Sequence, residues 1–196
     1  MNRRRVSRGS AFSLWLVGMA VCLGGCGGGD YSTPEATFET AKAAGRAKDW
    51  KTMYDCYTPE SLDTMAGMLA LAGSFGGEKT AAVLEQHGVD KAGPGAMAAA
   101  MQAGKAPHDV GKDLVKNVGD KSQFIADMQN AMEQTRGTEA GQFAEDAKLE
   151  GLTIDGDSAT ARMVFEGKSM PLKFKNIGGD WKLEFILPTL GESPDA

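Results

Sequence analysis

Past its first 25 residues the chain has no apolar run near the roughly 20 residues that a membrane-spanning helix needs. Histidine is scarce: there are two, His87 and His108, and three cysteines. Two distant histidines and so few thiols offer no ligand spacing for a metal. The glycine clusters do not sit between a strand and a helix with phosphate-loop or dinucleotide spacing, which removes the common nucleotide-binding designs. Gly-x-Ser-x-Gly is absent too, and with it the nucleophile elbow of the hydrolases. A basic footprint is also missing. Residues 1–25 carry Arg3, Arg4, Arg5 and Arg8 and no acid, leaving 21 − 4 = 17 bases against 26 acids beyond them. A balance near −9 cannot displace counterions from phosphates, so nucleic acid is excluded as a partner. No cofactor is implied.

What is present begins at the N-terminus. Four arginines lie in the first eight residues, and Ala11 to Leu23 then runs 13 residues without a charge. Gly24 and Gly25 follow. A positive region, a short apolar region and a small-residue exit form the pattern of a secretory signal peptide. The arginines stay on the cytoplasmic side, so the chain that follows is exported.

Leu23-Gly24-Gly25-Cys26 resembles the lipobox of bacterial lipoproteins. The resemblance implies that Cys26 receives a diacylglyceryl group on sulfur and that a dedicated peptidase cuts before it. Two or three acyl chains give stable membrane attachment where one does not. The expected organisation is a lipoprotein signal peptide over 1–25, a flexible tether over 26–32, and one domain over 33–187 with a loose tail over 188–196. Gly27, in place of an aspartate, leans by the same analogy towards an outer membrane. With Cys22 removed and Cys26 lipidated, Cys56 stands alone and can form no intrachain disulfide. Its aromatic neighbours, Tyr54 and Tyr57, point to buried packing rather than reactivity.

Thr33-Pro34-Glu35 reads as a helix start: a hydroxyl N-cap, proline at the first position and an acid at the positive end of the dipole. Phe38, Ala41 and Gly45 mark its inner face. Trp50, Met53, Tyr54 and Tyr57 recur at helical spacing, and Thr58-Pro59-Glu60 repeats the start signal. From Leu62 to Phe75 the chain is apolar almost all round, which predicts a helix buried in the domain or against a partner. Gly76-Gly77 breaks it, a short helix over 78–87 follows, and 91–107 reads as a mobile connection. Val110, Leu114 and Val118 suggest another helix. Asp120-Lys121-Ser122-Gln123 looks like a capping box opening a helix that Gly137 closes.

After Phe143 the period changes to two. Leu152 and Ile154, then Ala159 to Phe165, Met170 to Phe174, and Trp181 to Phe185 alternate apolar with polar residues between short turns. Four strands in an antiparallel meander with one buried face result. The fold class is therefore α+β, with N-terminal helices and a C-terminal meander.

The Trp and Tyr stripe, the Thr-Pro-Glu restart and the closing Gly179-Asp180-Trp181-Lys182 resemble the nuclear-transport-factor-2-like superfamily. The likeness covers Thr33 to Glu60 and Leu149 to Ile186. It implies a cone of sheet around a helix with an apolar pocket, and it makes 61–137 a helical insertion. In such a cone Trp50, Tyr54, Phe165, Phe174 and Trp181 are the candidates to line the pocket.

Enzymes of that superfamily use an Asp or His acid–base pair inside the cone, yet every inward strand position here is apolar. His87 reads as a helix C-cap and His108 as a residue of a polar turn. Methionine pairs at helical spacing (Met65 and Met68, Met97 and Met101, Met128 and Met132) have the softness to hold cuprous ion, but among alanines they read as core filler. The expectation is a non-catalytic, lipid-anchored protein of the cell envelope that binds an apolar ligand or another envelope protein. The alternative is a hydrolase or isomerase that uses a pocket carboxylate.

Overall fold

The structure, a computed structural model, describes residues 29–90, 99, 102–136 and 146–186. Residues 1–28, which hold the expected signal segment and Cys26, lie outside the described residues, as do Met97, Met101, Gly137 and the tail over 188–196. Among them six helices precede a four-stranded sheet. They are α1 (Pro34–Ala47), α2 (Trp50–Asp55), α3 (Pro59–Ser74), α4 (Glu78–Gln86), α5 (Pro107–Val115) and α6 (Lys121–Arg136). The strands are β1 (Lys148–Asp155), β2 (Ser158–Phe165), β3 (Lys168–Ile177) and β4 (Asp180–Glu184), antiparallel in the order 1-2-3-4.

The expected helix starts are present as atoms. The hydroxyl of Thr33 accepts from Ala36 N at 3.1 Å and that of Thr58 from Ser61 N at 3.2 Å. Each such cap is worth about 1 kcal/mol. Asp120 caps α6 through Gln123 N at 3.0 Å, but the return bond of a capping box is not made. The Gln123 amide instead donates to Asp127, one turn along the helix, at 2.8 Å.

The strand alternation holds on β2, where Ala159 and Ala161 are buried and Thr160 and Arg162 exposed. On β1 it is interrupted. The register shifts between Glu150 and Thr153, so Gly151 and Leu152 together oppose Ala161. Gly151 takes φ +65°, the left-handed region open to glycine. This bulge puts Leu149 and Leu152, three residues apart, on one face against the core.

Two large apolar clusters result, beside a small third one of Leu71 and Val110. The first joins α1 and α2 to the inner sheet face: Phe38, Ala41, Trp50, Met53, Cys56, Phe174, Trp181 and Leu183 are all buried. The second lies among the later helices, with Ala66, Ala70, Leu84, Val115, Phe124, Ile125 and Met128. Helix α6 serves both, since Ala126 belongs to the first and its neighbours to the second. Tyr54 packs against each. Tyr54 and α6 thus join the described helices after Ser61 to the rest of the domain.

α3 is only partly the enclosed helix that its composition predicts. Ala66, Gly67, Ala70 and Leu71 are buried, but Met68 is 43% and Phe75 55% exposed. α5 covers one side of α3 and leaves the stripe of Met68, Ala72 and Phe75 in solvent.

Residues 29–32, expected within the tether, are fixed to the domain. Tyr31 O accepts from Trp181 N at 2.8 Å, and the Lys182 ammonium lies 3.5 Å from the centroid of the Tyr31 ring. Asp30 exchanges two bonds with the Thr40 hydroxyl, at 3.2 and 3.1 Å. The sequence of this stretch is short and polar, and only the arrival of β4 gives it a partner.

Candidate functional site

The five residues expected to line a pocket do converge, though on each other. Trp50 and Tyr54 come from α2, Phe165 from the end of β2, Phe174 from β3 and Trp181 from β4. Trp50, Phe174 and Trp181 are buried in the first cluster, and Tyr54 and Phe165 pack on it half-buried. With Phe38, Met53 and Leu183 they occupy the space between helices and sheet. They belong to one buried cluster, and none of the five borders the clefts beside the start of α3.

The open spaces lie elsewhere. Two clefts of about 460 Å³ each flank the start of α3 and share Thr58 and Glu60. One is bounded by Ser61, Lys112, Lys173, Glu184, Phe185 and Ile186. The other runs along Lys175, Asn176 and Ile177. The outer edge of β4 explains how this corner is built. Leu183 N donates to Cys56 O at 2.7 Å, and Thr58 N donates to Leu183 O at 2.9 Å. Phe185 N then donates to the Ser61 hydroxyl at 2.8 Å. The start of α3 is therefore stitched to β4 as a short parallel pairing.

This corner carries no activated nucleophile. The Ser61 oxygen is shared between Phe185 N and the Thr58 hydroxyl, 2.7 Å away, and no imidazole borders either cleft. Its character is amphipathic: Ile177, Phe185 and Ile186 stand 36–41% exposed beside Lys112, Lys173 and Lys175. Such a surface suits a peptide or protein better than a buried small molecule.

The histidines part company. His108 is near Asp109 at 3.4 Å, with its side chain 43% exposed. His87 caps the end of α4 as expected, and its Nε2 also lies 2.8 Å from an Asp127 oxygen on α6. Phe124 meets the imidazole edge-on, with centroids 5.3 Å apart. The Gln123 amide donates to the second Asp127 oxygen, so His87, Asp127 and Gln123 form a chain of hydrogen bonds. No sequence signal joins positions 40 residues apart; only the packing of α4 on α6 does. Neither His87 nor Asp127 borders the two clefts at the start of α3.

Cys56 is fully buried, and its Sγ lies 3.4 Å from Thr52 O. Burial pushes its thiol up to about 12, so it is not a nucleophile near neutral pH. Met128 is fully buried in the second cluster, where it fills space rather than offering a thioether to a metal. Among the described residues no three His, Cys, Asp or Glu side chains gather as a metal site. No helix among them is long and apolar enough to cross a membrane.

No protein-family model, curated protein or solved structure matches this chain. The residues themselves carry the functional reading.

Proposed function

We propose that this is a lipid-anchored protein of the bacterial cell envelope that acts by binding another envelope protein rather than by catalysis. Attachment rests on the run from Arg3 through the apolar stretch to Leu23-Gly24-Gly25-Cys26. Binding through the surface rests on one observation. Trp50, Phe174 and Trp181 are buried in one aromatic cluster, whereas Met68 of α3 and Phe75 at its C-terminal cap stand in solvent. In this reading the fold is nuclear-transport-factor-2-like with residues 61–137 inserted. The side chains that would line its central space are buried in one cluster, which favours a protein partner over an enclosed apolar ligand.

The test has two arms. Cells given radiolabelled palmitate should label the wild-type chain and not Cys26→Ala, and label persisting in the variant would place the acceptor elsewhere. A photo-crosslinking residue at Phe75 or Phe185 should then trap one discrete protein in intact cells. Lipid recovered with the native protein, and no protein adduct, would return the apolar-ligand reading to first place.

The hydrolase or isomerase reading retains one supporting observation, the His87–Asp127 pair. It requires a substrate to reach that imidazole. A chemical shift change at His87 on adding candidate esters would support it, and silence across such a panel would remove it.

A further inference from the structure

The clamp on residues 29–32 bears on how the domain meets the membrane. We infer that the domain is held against the lipid surface in one orientation, with the elbow between α1 and α2 facing the headgroups. This deepens the anchoring proposed above and rests on lipid at Cys26. Three steps of chain separate Cys26 from Gly29. At about 3.6 Å per residue, those steps span at most about 11 Å. From Gly29 onward no slack remains. The Asp30 bonds to Thr40, the Trp181 bond to Tyr31 and the Lys182 ammonium over the Tyr31 ring fix the strap to α1 and β4.

The strap leaves the domain at a defined place. Gly29 lies against the Thr40 side chain and the Tyr31 ring, so closely that an added Cβ would collide with both. It borders a shallow hollow of about 420 Å³ with Ala43, Ala47, Asp49 and Thr52, where α1 hands over to α2. A domain of this size is roughly 40 Å across. A leash of about a quarter of that width cannot reach the bilayer from any other side, so this collar of alanines, threonines and the carboxylates of Asp30 and Asp49 faces the headgroups. The outer face of the sheet, with Thr160 exposed on β2, lies on the other side of the core from α1.

The experiment uses the full, lipidated protein reconstituted into phosphatidylethanolamine and phosphatidylglycerol vesicles. Ala47→Cys and Thr160→Cys each carry a fluorophore; Cys56, fully buried, stays unlabelled. Lipids with a nitroxide on the headgroup should strip fluorescence from position 47 and spare position 160. Inserting a Gly-Ser spacer of about 20 residues after Gly28, whose mean span is about 25 Å, should abolish that contrast. Equal quenching at the two positions in protein whose mass shows lipid on Cys26 would overturn the inference alone. A mass without lipid would overturn the anchoring reading and the inference with it.

Discussion

Gly67 and Gly111 meet backbone to backbone where α3 crosses α5: a Cβ on Gly67 would lie 2.6 Å from the carbonyl carbon of Gly111. Glycine inside a helix costs about 1 kcal/mol relative to alanine, so two of them facing each other mark a contact that a methyl group would block. Gly67→Ala or Gly111→Ala should destabilise the domain by about 1–3 kcal/mol through overpacking, seen as a lower urea midpoint. Gly119, whose added Cβ meets nothing, is the control, and its change to alanine should stay within about 0.5 kcal/mol. Equal midpoints for all three would mean that α5 can slide on α3.

Trp181 anchors β4 to the core with 8% of its surface exposed, and its carbonyl accepts the buried Thr37 hydroxyl at 2.8 Å. Trp181→Ala should cost about 3–5 kcal/mol by chemical denaturation. The exposed Phe75 provides the contrast, and its change to serine should leave the midpoint near wild type. A small effect at Trp181 would reverse the assigned face of β4.

The bulge on β1 depends on Gly151 at φ +65°. A β-branched residue there cannot hold the left-handed conformation cheaply, so Gly151→Val should lose about 1–2 kcal/mol. It should also perturb the amide signals of Ala161 and Arg162, which face the bulge. Unchanged spectra would show that the register does not need that backbone state.

Alkaline pH should weaken the fold before neutral or mildly acid pH does. Burial raises the Cys56 thiol from 9.0 to about 12, and burial, with Glu133 nearby, raises the Tyr54 phenol from 10.0 to about 12. Between those values the unfolded chain has lost protons that the native state retains, so stability falls as pH rises. The stabilising difference is complete below pH 9 and is spent by about 12. Cys56→Ala, compared with its own neutral-pH stability, should flatten the start of that decline in urea titrations. An unchanged slope would show that the thiol ionises without unfolding.

Tyr31 should matter to the strap and little to the core. Tyr31→Ala removes the ring under Lys182, an interaction worth about 0.5–2 kcal/mol. Hydrogen exchange at Ser32, together with protease cleavage before α1, should accelerate. Unaltered exchange would mean that the backbone bond from Trp181 holds the strap alone.

The parts of this fold legible in the chain are those set by near neighbours. Thr33 and Thr58 cap their helices because each needs only an amide three residues on. The meander follows from alternation, with Phe174 opposite Leu183 and Ala159 opposite Phe174 across the ladder. Local reasoning failed where a second segment competed for the same group. Gln123 had the spacing of a capping box, yet its amide went to Asp127, whose other oxygen is bonded to His87. Residues 29–32 had the composition of a free linker until β4 offered Trp181 and Lys182.

The candidate pocket shows the same division. Sequence determined that Trp50, Tyr54, Phe165, Phe174 and Trp181 belong together on inward faces. Whether five aromatic residues surround a void or fill it depends on the distance between α2 and the sheet, which periodicity does not encode. Tertiary packing brought them into one cluster and left the open surface to Met68, Phe75 and the corner at Ser61. Alternation and capping are decided within one or two turns of chain, so the sequence carries them. Close approach, as between Gly67 and Gly111, is decided by which faces meet, and only the folded chain settles that.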